Sequence, residues 1–143
     1  MKVLTFFVPG IPAPQGSMRA FMPKGARFPV VTADNPKTKP WRSTIGVVAL
    51  DAMYRQDWPL AEGPLTVELL FGMPRPKSLP KRVTHMTKKP DIDKLIRAVL
   101  DALKGVAWCD DSQVVSVYAS KRYGQPGCKV EIFEVTEFFE VTE

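Results

Sequence analysis

Pro90–Val115 reads PDIDKLIRAVLDALKGVAWCDDSQVV, and this stretch organises the chain. Ile92, Leu95, Ile96, Val99, Leu100 and Leu103 recur at the i, i+3, i+4, i+7 spacing of a helix with one buried face. Pro90 and Asp91 form a helix start, because proline disfavours helix before it and aspartate accepts from exposed N–H groups. Gly105 supplies a stop. At about 100° per residue the stripe lies broadly opposite Lys94, Arg97, Asp101 and Lys104. Asp93 falls nearer the boundary, four residues before Arg97.

The acids are the second feature. Asp91 and Asp93 bracket the helix start, where the positive end of the helix dipole favours an anion. Gly105–Cys109 is a short connection, and Asp110 and Asp111 stand just before a strand-like run. A loop of this length can fold back along the helix and bring Asp110 or Asp111 near Asp91 and Asp93. Several carboxylates at one spot repel unless a cation sits among them. Hard oxygen ligands of this kind suit Mg²⁺ or Mn²⁺. Plainer readings stand beside this one. Asp91 alone is an N-cap, Asp93 with Arg97 is a surface pair, and Asp110-Asp111-Ser112 is a turn.

Outward from this stretch, Lys2–Val8 predicts a first strand, followed by an irregular turn, PGIPAPQG. Ser17–Pro36 is rich in Arg, Lys, Met, Pro and Gly, with Arg19, Lys24 and Arg27 interleaved with Phe21 and Phe28. Such a segment can grip a nucleic-acid backbone and stack on bases, or serve only as a surface hairpin. Arg27–Thr32 predicts a return strand. Trp41, Ile45, Val48, Ala49 and Ala52 predict a second amphipathic helix over Trp41–Gln56, with Lys37, Lys39 and Arg42 at its start. Leu65–Met73 (LTVELLFGM) is so apolar that it predicts a central strand. Pro74–Lys89 holds three prolines and six Lys/Arg and reads as a basic loop that delivers Lys88 and Lys89 beside Asp91. Gln113–Tyr123 and Gly127–Thr136 predict two strands, joined as a hairpin through Gly124–Gly127, with Lys121 near the end of the first. The tail repeats FEVTE at 133–137 and 139–143, and 137–143 reads as a frayed acidic extension.

This order predicts a single α+β domain over residues 1–143: a mixed, largely antiparallel sheet with two helices packed on one face. No apolar run reaches the ~18 residues that cross a membrane, and MKVLTFFVPGIP is broken by Pro9 and Gly10, so it reads as a strand rather than a leader. Cys109 and Cys128 lack a C-x-x-C partner, and His85 stands alone, which points away from zinc and toward a reduced, cytoplasmic setting. The net charge of +5 is unevenly spread. Residues 1–90 carry 14 Lys/Arg against 5 Asp/Glu, a net +9, and residues 91–143 carry 6 against 10, a net −4. A basic portion beside an acidic cluster suits metal-assisted chemistry on phosphates.

The quoted stretch resembles the signature region of the RusA family of Holliday-junction resolvases, which reads D-x-D at a helix start, then D-A-L, then D-D-[SA]-Q-V-V. VPGIPAPQGSMRAF resembles the family's Gly/Pro-rich opening more loosely. The resemblance implies a homodimer that cuts branched DNA with aspartate-held metal. It assigns Asp91 and Asp93 as the first two ligands and Asp111 as the third, with Asp110 beside it. It also implies a catalytic lysine at the position of Arg97. Arginine there can clamp a phosphate but stays protonated, so Lys94 and Lys121 become substitutes for a proton-transfer role.

The resulting expectation is a Mg²⁺-dependent endodeoxyribonuclease, with Mn²⁺ as a substitute ion, that resolves four-way junctions by paired symmetric nicks. Asp91, Asp93, Asp111 and Arg97 act at the phosphate, and Arg19, Lys24, Arg27, Lys88, Lys89, Lys94 and Lys121 bind DNA. One rival is a non-catalytic branched-DNA-binding module in which Arg97 records a lost active site. Another is a metal-dependent hydrolase of RNA or a small phosphate ester.

Overall fold

A computed structural model describes residues 2–16, 18–33 and 36–135, with side chains described outside 18–21 and 30–33. The element order is β1 (Val3–Pro9), β2 (Met18–Phe21), β3 (Val30–Ala33), α1 (Thr38–Arg55), β4 (Leu65–Met73), α2 (Ile92–Leu103), a 3₁₀ turn (Asp111–Gln113), β5 (Val114–Tyr123) and β6 (Gly127–Glu134). The architecture is α+β, as the sequence predicts. Four strands form one mixed sheet in the order β1-β6-β4-β5, and β2 pairs with β3 separately.

Strand alternation decides which face is covered. Leu4, Phe6 and Val8 of β1, Leu65, Val67, Leu69, Phe71 and Met73 of β4, and Cys128, Val130 and Ile132 of β6 are all buried. The registers pair them across the sheet, with Phe6 opposite Val130 and Leu69 opposite the same Val130. Trp41, Ile45, Ala49 and Ala52 of α1 and Leu95, Ala98, Val99 and Leu103 of α2 belong to the same core. The stripe read from the sequence thus becomes the buried side of α2. Thr66, Glu68, Leu70 and Gly72 alternate to the less covered face.

β4 runs antiparallel to β6 and parallel to β5, so the β4-α2-β5 segment is a helical crossover of the kind parallel strands need. This corrects the expectation of a β5–β6 hairpin. Residues 124–126 instead carry the chain across the end of β4, which lies between β5 and β6. Gly124 N–H donates to the Met73 carbonyl at 3.0 Å. A Cβ on Gly72 would meet the Gln125 carbonyl oxygen at 1.9 Å, so only glycine lets the crossing segment lie this close. Gly127, at φ +153, has Phe7 and the Val8 carbonyl where a side chain would be. The predicted strand end at Thr136 and the tail at 137–143 lie outside the described residues. Among the described residues, no helix is long and apolar enough to cross a membrane.

Candidate active site

The start of α2 is held from two sides. The Lys121 ammonium, from the end of β5, donates to the carbonyls of Lys88 at 2.6 Å and Pro90 at 2.7 Å. The Gln15 N–H donates to the Lys94 carbonyl at 3.0 Å, tying the proline-rich loop after β1 to the first turn of the helix. Asp91 occupies the N-cap position in an extended conformation (φ −68, ψ 142), yet its carboxylate makes no capping bond. Its backbone carbonyl accepts from Leu95 N–H at 3.2 Å. Asp91 and Asp93 are both exposed. The ion pairs among the described residues are Arg55–Asp51 and Lys129–Glu131, so Asp93 is not tied to Arg97, which is also exposed. The two plainer readings of these acids therefore fail: neither carboxylate is used in capping or in a surface pair.

Beside Asp91 lies an open cleft of about 390 Å³, lined by Ile11–Pro14, Met73 and Pro90, with Lys37, Lys89 and Lys94 at its rim. It is an apolar trough with cations around one carboxylate, which suits a phosphodiester chain running past an acidic centre. Lys88 is exposed next to it. Lys24 and Arg27 are exposed in the β2–β3 connection, and Phe28 beside them is 76% exposed, so that ring does not cover the core. Arg19 falls in β2, where side chains lie outside the described residues. Lys121 differs from the other sequence-predicted DNA contacts, because two of its three N–H donors are already committed to the backbone ahead of Asp91.

The second pair of acids sits elsewhere. Past Leu103 the chain turns, with Val106 and Ala107 N–H donating to the Leu103 carbonyl, and buries Ala107 and Trp108. Asp110 caps the 3₁₀ turn: its carboxylate accepts from Ser112 N–H at 2.9 Å, while the Gln113 side chain accepts from Asp110 N–H. The Ser112 backbone N–H, then its hydroxyl, then the charge of Lys104 hold the Asp110 carboxyl below the usual range. For Asp110 the turn reading is the one the structure shows. Asp111 is different. One of its oxygens accepts from the indole N–H of the fully buried Trp108 at 2.8 Å, which fixes the carboxylate and leaves its second oxygen open.

The fold-back expected from the sequence therefore does not bring Asp111 to Asp91 within one chain. Twelve residues of α2 separate the two ends, about 18 Å of helix. β5 repeats the separation: Lys121, which holds Pro90, lies at its far end and Asp111 precedes its start. Among the described residues, no group of three or more His, Cys, Asp or Glu side chains could hold a metal ion. One chain thus presents two exposed carboxylates, Asp91 and Asp93, at one end of α2, and a third, Asp111, held by Trp108 at the other.

Residues that the sequence did not single out complete the frame. Trp108 orients Asp111. Gln113 donates to the carbonyls of Ala61 and Gly63 and accepts from Cys109 and Asp110, so one amide latches the turn before β5 to the loop before β4. The D-x-x-Q spacing of Asp110 and Gln113 is the readable signal for that latch, being the spacing of a capping box.

An exposed D-x-D at a helix start, a basic cleft and a separately oriented aspartate define a protein built to handle phosphodiesters. The family model described as "Endodeoxyribonuclease RusA" matches residues 9–133, and the chain belongs to that family, whose members act on branched DNA junctions. A protein of Bacillus subtilis (strain 168) named "Uncharacterized protein YqaN" is 31% identical over 147 residues, covering 95% of this chain and 99% of the relative.

Proposed function

We propose that this chain is a divalent-metal-dependent endonuclease that works as a homodimer and resolves four-way junctions by paired symmetric nicks. The observation that carries the reading is the exposed, uncapped carboxylate of Asp91 in a lysine-lined cleft, with exposed Asp93 two residues further along the same helix start. Carboxylate oxygens without protein partners fit Mg²⁺ or Mn²⁺, and two of them are fewer than such an ion's protein ligands and substrate oxygens usually supply together. Asp111 of the partner subunit completes the set, which accounts for an acid oriented so firmly yet so far from the first two. A bound ion supplies an activated water and a counter-charge for the developing phosphorane.

The chain's own residues do the rest. Lys89 and Lys94 draw the scissile phosphate along the cleft, and Lys88, Lys24, Arg27 and Arg19 neutralise neighbouring phosphates. Arg97 lies further along the exposed side of α2 and clamps a phosphate with two donors without shuttling a proton. Lys121 keeps Pro90 and Asp91 in place. A homodimer matches the two-fold symmetry of a four-way junction, with one active site for each of the two strands cut.

The test is incubation with a labelled synthetic four-way junction, with and without Mg²⁺. Paired symmetric nicks that require the ion, and their loss in Asp91→Asn with junction binding retained, are the expected results. Unimpaired cutting by Asp91→Asn sinks the assignment. The replacement of lysine by Arg97 favours one second reading, a branched-DNA-binding module without catalysis. Calorimetry with Mn²⁺ separates the two, since that module binds no ion.

A further inference from the structure

We infer that the cleft beside Asp91 seats one unstacked nucleobase of the strand being cut, and that Ile11, Pro12, Pro14, Met73 and Pro90 form the seat. The inference rests on the reading that Asp91 acts on a phosphodiester of branched DNA. It adds what the apolar part of the cleft holds and why branching matters.

Phosphate binding accounts for the rim of the cleft but not for its lining. Lys89 and Lys94 suit phosphate oxygens, whereas residues 11–14, Met73 and Pro90 bring mostly carbon. Pro12, Ala13 and Met73 are buried and Ile11 is 60% exposed, which makes an apolar floor with an open lip. Three lining residues are prolines, which carry no N–H. Two of their carbonyls are already taken: Pro14 accepts from the Thr38 hydroxyl and Pro90 from the Lys121 ammonium. Such a lining offers little to a sugar or a phosphate. A flat ring fits it, with its faces on proline and the soft Met73 thioether and its polar edge toward the lysines. Among the described residues, no aromatic side chain lines the cleft.

The seat is formed in advance. Gly10, at φ +120, turns the chain beside the Trp41 ring, 3.5 Å from where a Cβ would stand. Gln15 N–H ties the end of this loop to the Lys94 carbonyl, and Lys121 fixes the opposite segment at Pro90. Braced walls lose little freedom when a ligand enters. The volume of about 390 Å³ accommodates a base with its sugar.

The position of Asp91 on the same cleft supplies selectivity. A base enters only by leaving its stack, which is costly in continuous duplex and least costly where pairing is already interrupted. A branch point is such a place. Seating one base there is worth roughly five- to a hundredfold in affinity, the usual range for stacking a single base. In continuous duplex the unstacking cost cancels that gain, so a phosphate is held at Asp91 chiefly at branch points.

Junction binding by the full chain without divalent ions tests this apart from cutting. An abasic site is walked along each strand through the branch point of a synthetic four-way junction. At one position per cut strand it should weaken binding about tenfold, while its neighbours change binding little. 2-Aminopurine at that position should brighten on binding, because it leaves its stack and meets no aromatic ring, and should stay dark in linear duplex. Ile11→Ser, at the exposed lip, should weaken binding to the intact junction about fivefold and to the abasic junction hardly at all. Equal losses on both junctions, no sensitive position, or 2-aminopurine that stays dark throughout would each overturn the inference. A changed sedimentation rate in Ile11→Ser would also overturn it, by making the cleft a contact between copies. A sensitive position in a protein that never cuts with Mg²⁺ supports the seat and sinks the nuclease reading, and paired nicks on junctions that tolerate every abasic site do the reverse.

Discussion

The Lys121 ammonium sits 2.7 Å from the Pro90 carbonyl, so a cation near the end of one strand anchors the residue just ahead of Asp91. Together with its bond to the Lys88 carbonyl, this makes Lys121 a brace rather than a free DNA contact. Lys121→Met should lower stability by about 1–2 kcal/mol, the usual worth of such bonds when partly exposed. It should slow nicking about tenfold by loosening the turn that presents Asp91, while Lys121→Arg recovers part of both. Thermal melts and junction nicking check this. If Lys121→Met melts and cuts like the wild type, the brace has no importance.

Separating Asp91 from Asp111 along α2 predicts complementation between dead variants. Asp91→Asn and Asp111→Asn should each be inactive alone. Mixed one to one and allowed to exchange, about half the dimers are hybrids with one intact site each, or about a quarter of the wild-type sites. The mixture should nick single strands without paired cuts. A mixture as silent as its parents would place all three acids in one chain.

The contact between Gly72 and Gln125 predicts a stability difference between two glycines. Gly72→Ala should cost about 1–3 kcal/mol, as forced overpacking does, because backbone at 1.9 Å cannot step aside cheaply. Gly46, inside α1 with nothing within 4 Å of its would-be side chain, should gain about 0.5–1 kcal/mol on Gly46→Ala. Urea titrations measure both. Equal effects would mean that the segment at 124–126 crosses elsewhere.

The two cysteines should behave oppositely. Cys109 is exposed, whereas Cys128 is fully buried and burial pushes its thiol up to about 12. A disulfide reagent at pH 8 should titrate one thiol quickly and the second only in denaturant. Between the ordinary thiol value of 9.0 and about 12, the unfolded chain has lost a proton that the folded chain keeps. Stability therefore falls as pH rises through that window. Cys128→Ala should flatten that part of the stability curve relative to the wild type.

Much of the fold could be read locally. β4 spans the predicted Leu65–Met73 because the run is too apolar to lie anywhere but the middle of a sheet. α2 follows its stripe, and α1 begins at Thr38, three residues before the predicted Trp41, because Lys37–Pro40 continues the helix backward. The β5–β6 relation could not be read this way. Two strands around GQPG look like a hairpin to any nearest-neighbour argument, and the insertion of β4 between them depends on long-range pairing and on Gly72 lacking a side chain. The site divides in the same manner. D-x-D at a helix start is a local pattern. Whether Asp110 caps or binds depends on where Ser112 and Gln113 point, and the distance from Asp111 to Asp91 depends on the direction in which α2 runs.

The length of α2 bears on how such an activity is restrained in a cell. On the proposed assembly, a newly made copy carries two unfinished halves of a blade and no cutting edge. It becomes dangerous to a chromosome only after meeting its twin, so abundance alone sets a threshold and no separate inhibitor is required.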